Sequence, residues 1–171
     1  MNTSFNPLPP GYTHVQHTFE PVFDEHSRIL ILGSFPSVKS REIQFYYGHP
    51  QNRFWKLMAQ LLDVPVPQSI DEKKTMLLTH GLALWDVIAS CDIKGSSDSS
   101  IKNAVPTDIS RILKAADIQT IIANGGTAFR LYERYCEPVT GRPAALCPST
   151  SPANAAFSLE RLSECWSKFI I

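Results

Sequence analysis

"RILILGSFPSVKSREIQFYYGHPQNRFW", residues 28–55, decides how this chain is read. "RILILG" is a short apolar run that stops at Gly33, the pattern of a strand buried on both faces. From Asn52 the pattern changes, and "NRFWKLMAQLL" places Phe54, Leu57, Met58, Leu61 and Leu62 at helical spacing. A buried strand leading into an amphipathic helix is the building unit of an α/β sheet. Between the two lie Gly, Pro, hydroxyls, neighbouring aromatics, a His and an Asn, more flat and polar groups than a plain connection needs.

The same alternation continues outward. "LALWDVI", "IQTIIANGG" and "PAALC" read as further apolar strands, and "SCDIKGSSDSSIKN" reads as a loop. "SIDEKKTMLLTHG" reads as a helix with Ser69 as N-cap, Glu72 completing a capping box and Gly81 just past its end. "PTDISRILKAA", started by Thr107 or Asp108, "TAFRLYERYC" and "NAAFSLERLSECWSKF" supply three more helices. Four apolar strands separated by helices predict an α/β fold, a three-layer α/β/α sandwich around a central, mostly parallel four-stranded sheet. Residues 1–27, with Pro7, Pro9, Pro10 and Pro21 and little periodicity, are expected as an extended arm packed on one domain spanning 28–171.

A length of 171 residues, 43% of them hydrophobic, suits a single core. Sixteen basic residues balance sixteen acidic ones, so a nucleic-acid reader here needs a local basic patch. Lys39, Arg41, Arg53 and Lys56 flank the aromatic loop and are candidates for one. Cys91, Cys136, Cys147 and Cys165 lack the close spacing of metal or iron–sulfur ligands, and free thiols with no metal or cofactor are expected. No apolar run approaches the ~18 residues of a membrane helix, and "MNTSFNPLPPGYTH" has no cationic start followed by an apolar stretch. The expectation is a cytoplasmic protein.

In such sheets ligands collect beyond the C-terminal ends of the strands. The loops there are "GSFPS", "WDV", "NGG" and "CPSTSPAN", all carrying small or polar residues. "GSFPS" is neither a dinucleotide fingerprint nor a Walker loop, and offers instead a kinked backbone with the hydroxyls of Ser34 and Ser37, either a plain strand-ending turn or an anion cradle. Phe45, Tyr46 and Tyr47 are core aromatics or a stacking platform for a planar ligand. Asn52 is a helix N-cap or a functional amide, and Asp86 is a cap or an acceptor for a heterocyclic N–H. His49 is read as structural.

In this order the segments resemble the uracil-DNA glycosylase superfamily, and most of all its hypoxanthine-DNA (deoxyinosine) glycosylase branch. "LGSFPS" is similar to the superfamily's first motif, "HPQNRFW" to the segment after it and "CPSTSPAN" to its second motif; "GLALWDVI", "DSSIKN" and "ANGGTAF" are similar to blocks of the hypoxanthine branch. The resemblance implies an enzyme that flips a deaminated base out of DNA and hydrolyses its N-glycosidic bond. Phe35 stands where the uracil enzymes have Asn or Asp, and Cys147 where their second motif begins with His, which points away from the usual uracil arrangement. Asn52 then takes the catalytic role, orienting water or polarising the base. Tyr47 stacks on the base, Asp86 reads its edge, and Ser34 and Phe35 line the same pocket. Ser37, Lys39, Arg41, Ser149, Thr150, Ser151 and Asn154 are expected at DNA phosphates or in the groove. The implied product is an abasic site, formed without Schiff-base strand cleavage by a monomer acting on damaged DNA, most simply on hypoxanthine. Uracil as substrate, or a non-catalytic nucleic-acid binder, are the alternatives.

Overall fold

The computed structural model describes residues 7–170. In chain order its elements are β1 (Thr13–Gln16), β2 (Ile29–Gly33), α1 (Val38–Ile43), α2 (Phe54–Leu62), α3 (Ile70–Thr79), β3 (Leu82–Asp86) and β4 (Ile88–Ile93). A one-turn 3-10 segment (Asp98–Ser100) precedes β5 (Lys102–Pro106), α4 (Ser110–Ala115), β6 (Thr120–Asn124), α5 (Gly126–Tyr135), α6 (Glu137–Thr140), β7 (Ala145–Cys147) and α7 (Leu159–Trp166).

The central sheet has the order β3-β2-β6-β7, and each of its three pairings is parallel. Strand residues alternate between two cores, as a period of two requires. Ile31, Leu82, Leu84 and Ile122 face Phe54, Leu57 and Met58 of α2, Leu77 of α3 and Trp166 of α7. Leu30, Leu32, Ala83 and Ile121 face Ile112 of α4 and Tyr132 of α5. These side chains are within about 2% of complete burial, and each large one contributes roughly 1.5–3 kcal/mol by leaving water. The three layers follow from this two-sided burial.

Ser69 caps α3 by accepting from the Glu72 N–H at 3.1 Å. The Glu72 carboxylate reaches one residue further back than a capping box requires, to the Gln68 N–H at 2.6 Å. Helix α4 begins at Ser110, and Asp108 accepts from its N–H at 3.2 Å.

The region expected as one strand and a loop is built otherwise. "LALWDVI" is divided at Val87, and "SCDIK" continues as β4, which pairs with β1 on one side and β5 on the other in a second, antiparallel sheet. Apolar Cys91 and Ile93 alternate there with polar Ser90 and Asp92. That short alternation lay hidden in a run rich in Ser, Asp and Gly, and its partner β1 is some 78 residues distant in sequence.

The arm is accordingly more than a surface strap. The first six residues of the expected 1–27 segment lie outside the described residues. The remainder supplies β1, and Val22 exchanges two backbone hydrogen bonds with Leu84 at 2.9 and 2.8 Å, covering the open edge of β3. At the other edge β7 has only three residues.

Chain order reverses between β2 and β6: the chain runs from β2 outward to β3, then returns to place β6 on the other flank of β2. Loops leaving β2 and β6 therefore diverge and open a crevice at the C-terminal ends of the strands, the position at which open α/β sheets bind ligands.

Candidate active site

That crevice is a cleft of about 1090 Å³ walled at all four strand ends: Ser34 and Phe35 after β2, Asp86 closing β3, Asn124 closing β6 and the 147–154 segment at the end of β7. Tyr47 and Asn52 from the α1–α2 connection complete it.

Asn52 lies just ahead of α2, one residue before its N-cap, Arg53. Its Oδ1 accepts from the Phe54 N–H, the first of the helix, at 3.0 Å and from the Thr150 hydroxyl at 2.9 Å. Thr150 Oγ1 in turn accepts from Asn124 Nδ2 at 3.0 Å, while Asn124 Oδ1 accepts from the Thr150 N–H at 3.0 Å. An N–H donor at Phe54 leaves no choice of amide orientation, because the atom facing it must be the oxygen. Both Oδ1 lone pairs are thus used, and Nδ2 remains the group that Asn52 offers to the cleft, with no protein partner among the described residues. The relay Asn124–Thr150–Asn52 makes Asn52 a fixed donor.

Tyr47 stacks on Phe54 with ring centroids 4.2 Å apart and planes at 29°. Its φ of 52° is left-handed, a conformation costing a bulky residue roughly 1–2 kcal/mol. Its buried hydroxyl has no hydrogen-bond partner among the described residues. Burial first, and then the nearby Asp86 charge, push the Tyr47 phenol far above its ordinary range. An orphaned polar atom held by a strained backbone in a cleft wall points to ligand contact.

Asp86 ends β3 at 3% exposure, and its Oδ2 meets Nε2 of His17 at 2.8 Å. The other carboxylate oxygen lies beside Gly33, where a Cβ would come within 2.4 Å of it and 3.1 Å of the Tyr47 hydroxyl. Only glycine leaves room for this convergence. Ser34 donates to Asp98 Oδ2 at 2.8 Å. Desolvation, opposed by the Ser34 hydrogen bond and reinforced by the charge of Asp86, raises the Asp98 carboxyl above the usual carboxylate range. Phe35 is buried in the cleft wall, with the Arg41 guanidinium carbon 6.0 Å from its ring centroid.

Several residues expected at DNA make hydrogen bonds or ion pairs within the chain. Thr150 is fully buried, and its hydroxyl serves Asn52 rather than a phosphate, because the second-motif loop folds inward at this residue. The Ser37 hydroxyl caps α1, accepting from the Ser40 N–H at 3.1 Å. Arg41 donates to the Gly95 carbonyl at 2.8 Å, tying the 94–100 loop to α1. Lys39 is exposed and pairs with Glu42 at 3.2 Å. Ser149 and Ser151 accept from the N–H groups of Ser151 and Ala153, at 3.1 and 3.2 Å, and Asn154 Nδ2 donates to the Ser149 carbonyl at 3.0 Å. All three stand on the cleft rim.

Arg53, first considered for a surface patch, organises that loop. It donates to the carbonyls of Ser151 at 2.9 Å, Asn154 at 3.1 Å and Thr150 at 3.4 Å, and also to Phe157. His17, Asn124 and Asp98 were not singled out from the sequence. Asn124 carried a legible signal, a polar residue closing an apolar strand as Asp86 does. His17 carried none, since nothing local marks a histidine in the arm as the partner of Asp86.

A three-layer α/β domain whose cleft brings together a stacking aromatic, a fixed amide donor and a buried carboxylate has the architecture of an enzyme that accepts an extruded nucleobase. The chain belongs to the uracil DNA glycosylase superfamily, whose family model matches residues 20–170. It is 35% identical over 151 residues to a hypoxanthine DNA glycosylase of Methanosarcina acetivorans, covering 88% of this chain and 95% of that protein. A hypoxanthine DNA glycosylase of Methanosarcina barkeri is 37% identical over 111 residues, 63% of this chain and 69% of the relative. The solution NMR structure of a Methanosarcina acetivorans protein, described as a candidate uracil DNA glycosylase, superposes with a TM-score of 0.76 at 34% identity, covering 89% of this chain and 94% of the other.

Proposed function

We propose that this chain hydrolyses the N-glycosidic bond of hypoxanthine in DNA, leaving an abasic site, and that it works as a cytoplasmic monomer. It is a DNA glycosylase by family, and hypoxanthine is the base named for the relatives that cover most of its length. The observation that carries the reading is the fixed orientation of Asn52, whose Nδ2 is the unspent donor in a cleft that also holds Tyr47 and Asp86.

The extruded base enters the cleft and stacks on Tyr47, itself backed by Phe54. A 6-oxopurine presents an N1–H donor, which the Asp86 carboxylate accepts. As the glycosidic bond breaks, electrons of the bond pass to the base and the sugar becomes oxocarbenium-like. Asn52 Nδ2 donates to the base as this negative charge develops, a preorganised contact that needs no rearrangement at the moment of reaction. Water then adds to the sugar carbon and its proton passes to the departed base anion, giving the abasic product and the neutral free base. Asn52 acts here as a donor to the leaving base, since its oxygen is already committed to Phe54 and Thr150.

Base release from matched duplexes containing deoxyinosine, deoxyuridine or deoxyxanthosine, read as alkali-sensitive cleavage, tests this. The expected result is hypoxanthine release by the wild type, lost in Asn52→Ala, with no DNA adduct trapped by borohydride. Release of uracil alone would move the substrate to the base named for the NMR relative. Binding without release of any base would make the chain a non-catalytic relative.

A further inference from the structure

The arm places a buried polar side chain behind the cleft, against Asp86, that the mechanism above does not use. His17 follows β1, and its backbone N–H donates to the Ala89 carbonyl at 2.8 Å, which pins the residue to the second sheet. Its ring is enclosed by Phe19, Tyr46 and Phe35 at centroid distances of 4.3, 5.9 and 6.3 Å. The His17 and Asp86 side chains are 4% and 5% exposed, and their facing atoms are 2.8 Å apart. The neighbouring His14–Asp92 contact has the same length, yet that imidazole is 53% exposed and serves the antiparallel sheet. Two histidines three residues apart thus do different work, and only His17 lies against the base-reading carboxylate.

We propose that His17 is a positioning and specificity residue that donates its Nε2–H to Asp86 Oδ2, holding the other carboxylate oxygen as the acceptor for the N1–H of a 6-oxopurine. The proposal rests on the hypoxanthine reading given above. One proton lies between Nε2 and Oδ2. If it belongs to nitrogen, Asp86 is an anionic, acceptor-only carboxylate whose Oδ1 accepts strongly; if it belongs to oxygen, that O–H is spent on Nε2 and Oδ1 is the weaker acceptor of a neutral acid. An acceptor-only carboxylate suits a base with a protonated N1 and repels the N1 lone pair of adenine. The N–H of His17 makes that state tenable in a buried site, because a charge-assisted hydrogen bond replaces the lost water. Rigid packing among three rings fixes the direction of the bond, and with it the oxygen left beside Gly33.

The test is a double-mutant cycle under single-turnover conditions on deoxyinosine duplex, with His17→Leu, His17→Gln, Asp86→Asn and the pairwise combinations. His17→Leu is expected to slow base release about 10- to 100-fold with unchanged affinity for undamaged duplex. His17→Gln, whose amide N–H occupies the place of Nε2, restores much of the rate. In the Asp86→Asn background both His17 changes have little further effect. A His17→Leu penalty of equal size in both backgrounds, no rescue by Gln, or a wild-type rate in His17→Leu overturns the proposal, and thermal melts of each variant separate unfolding from loss of chemistry. Long-range ¹H–¹⁵N correlation on the free enzyme reads the proton directly. A protonated Nε2 is expected, and an unprotonated Nε2 overturns the assignment. That readout needs no turnover, so a wild type that fails to release hypoxanthine refutes the substrate reading while the spectrum still decides the role of His17.

Discussion

Thr150 gives its hydroxyl proton to Asn52 across 98 residues of sequence, at 2.9 Å. A fully buried second-motif residue thereby reinforces the amide orientation that the Phe54 N–H fixes. Thr150→Val keeps the shape and removes the bond, leaving Asn124 Nδ2 without its acceptor. A stability loss of about 1–3 kcal/mol is expected from that orphaned group, with base release slowed about tenfold, and Thr150→Ser should retain both. Thermal melts and single-turnover rates check the pair.

Asn52→Asp separates donor from acceptor roles at the site itself. The carboxylate still accepts from the Phe54 N–H and from Thr150, but offers an acceptor where the amide offered Nδ2–H. Loss of base release as deep as in Asn52→Ala, about 10²- to 10³-fold for a lost donor of this kind, is expected with a melting temperature close to wild type. Substantial activity in Asn52→Asp would show instead that the residue orients water by accepting its proton.

Gly33 has no left-handed φ to excuse it, and its constraint is space. A methyl group there would meet Asp86 Oδ1 at 2.4 Å and the Tyr47 hydroxyl at 3.1 Å. Gly33→Ala must displace the carboxylate or bend β2, so activity should fall at least as far as in Asp86→Asn. The cost in stability should be about 1–3 kcal/mol, typical of overpacking. Urea titration beside the cleavage assay measures both.

Tyr47→Phe deletes a buried hydroxyl that has no protein partner among the described residues, so folding loses no hydrogen bond. Stability should hold or rise by up to about 1 kcal/mol, while stacking persists. The same phenol, and that of Tyr46, set the alkaline limit. Burial raises both above the ordinary range of about 10, so above that pH the unfolded chain releases protons that the folded chain keeps. Stability is therefore full below pH ~10 and declines as pH rises beyond it, by up to about 1.4 kcal/mol per pH unit for each phenol. Chemical denaturation between pH 8 and 11 should show the decline, and Tyr47→Phe should flatten it.

Thiol labelling probes the cores. Cys91, Cys136 and Cys147 are buried, and burial pushes their thiols up to about 11, about 11 and about 12. Little thiolate forms at pH 8, so native protein should react with a maleimide at Cys165 alone, and denatured protein at all four. Peptide mass mapping identifies the site.

The sequence by itself determined the central sheet, because "RILILG", "LALWD" and "TIIAN" carry uninterrupted apolar runs whose only stable fate is burial on both faces. It also placed Asn52, Tyr47 and Asp86 near one another, since parallel strands deliver their C-terminal loops to one edge. Tertiary structure decided what those residues do. The "SCDIK" strand needed a partner far away in the chain, and no local pattern encodes a pairing between residues 14 and 92. Arg53 read as a candidate for a surface basic patch and Thr150 as a DNA contact while their surroundings were unknown, and both became internal supports once the 148–157 loop closed over their hydrogen-bonding groups. His17 gained its meaning only from the 2.8 Å separation that folding creates. Burial patterns are local and survive in sequence, whereas a hydrogen bond takes its meaning from the one partner that the folded chain brings within reach.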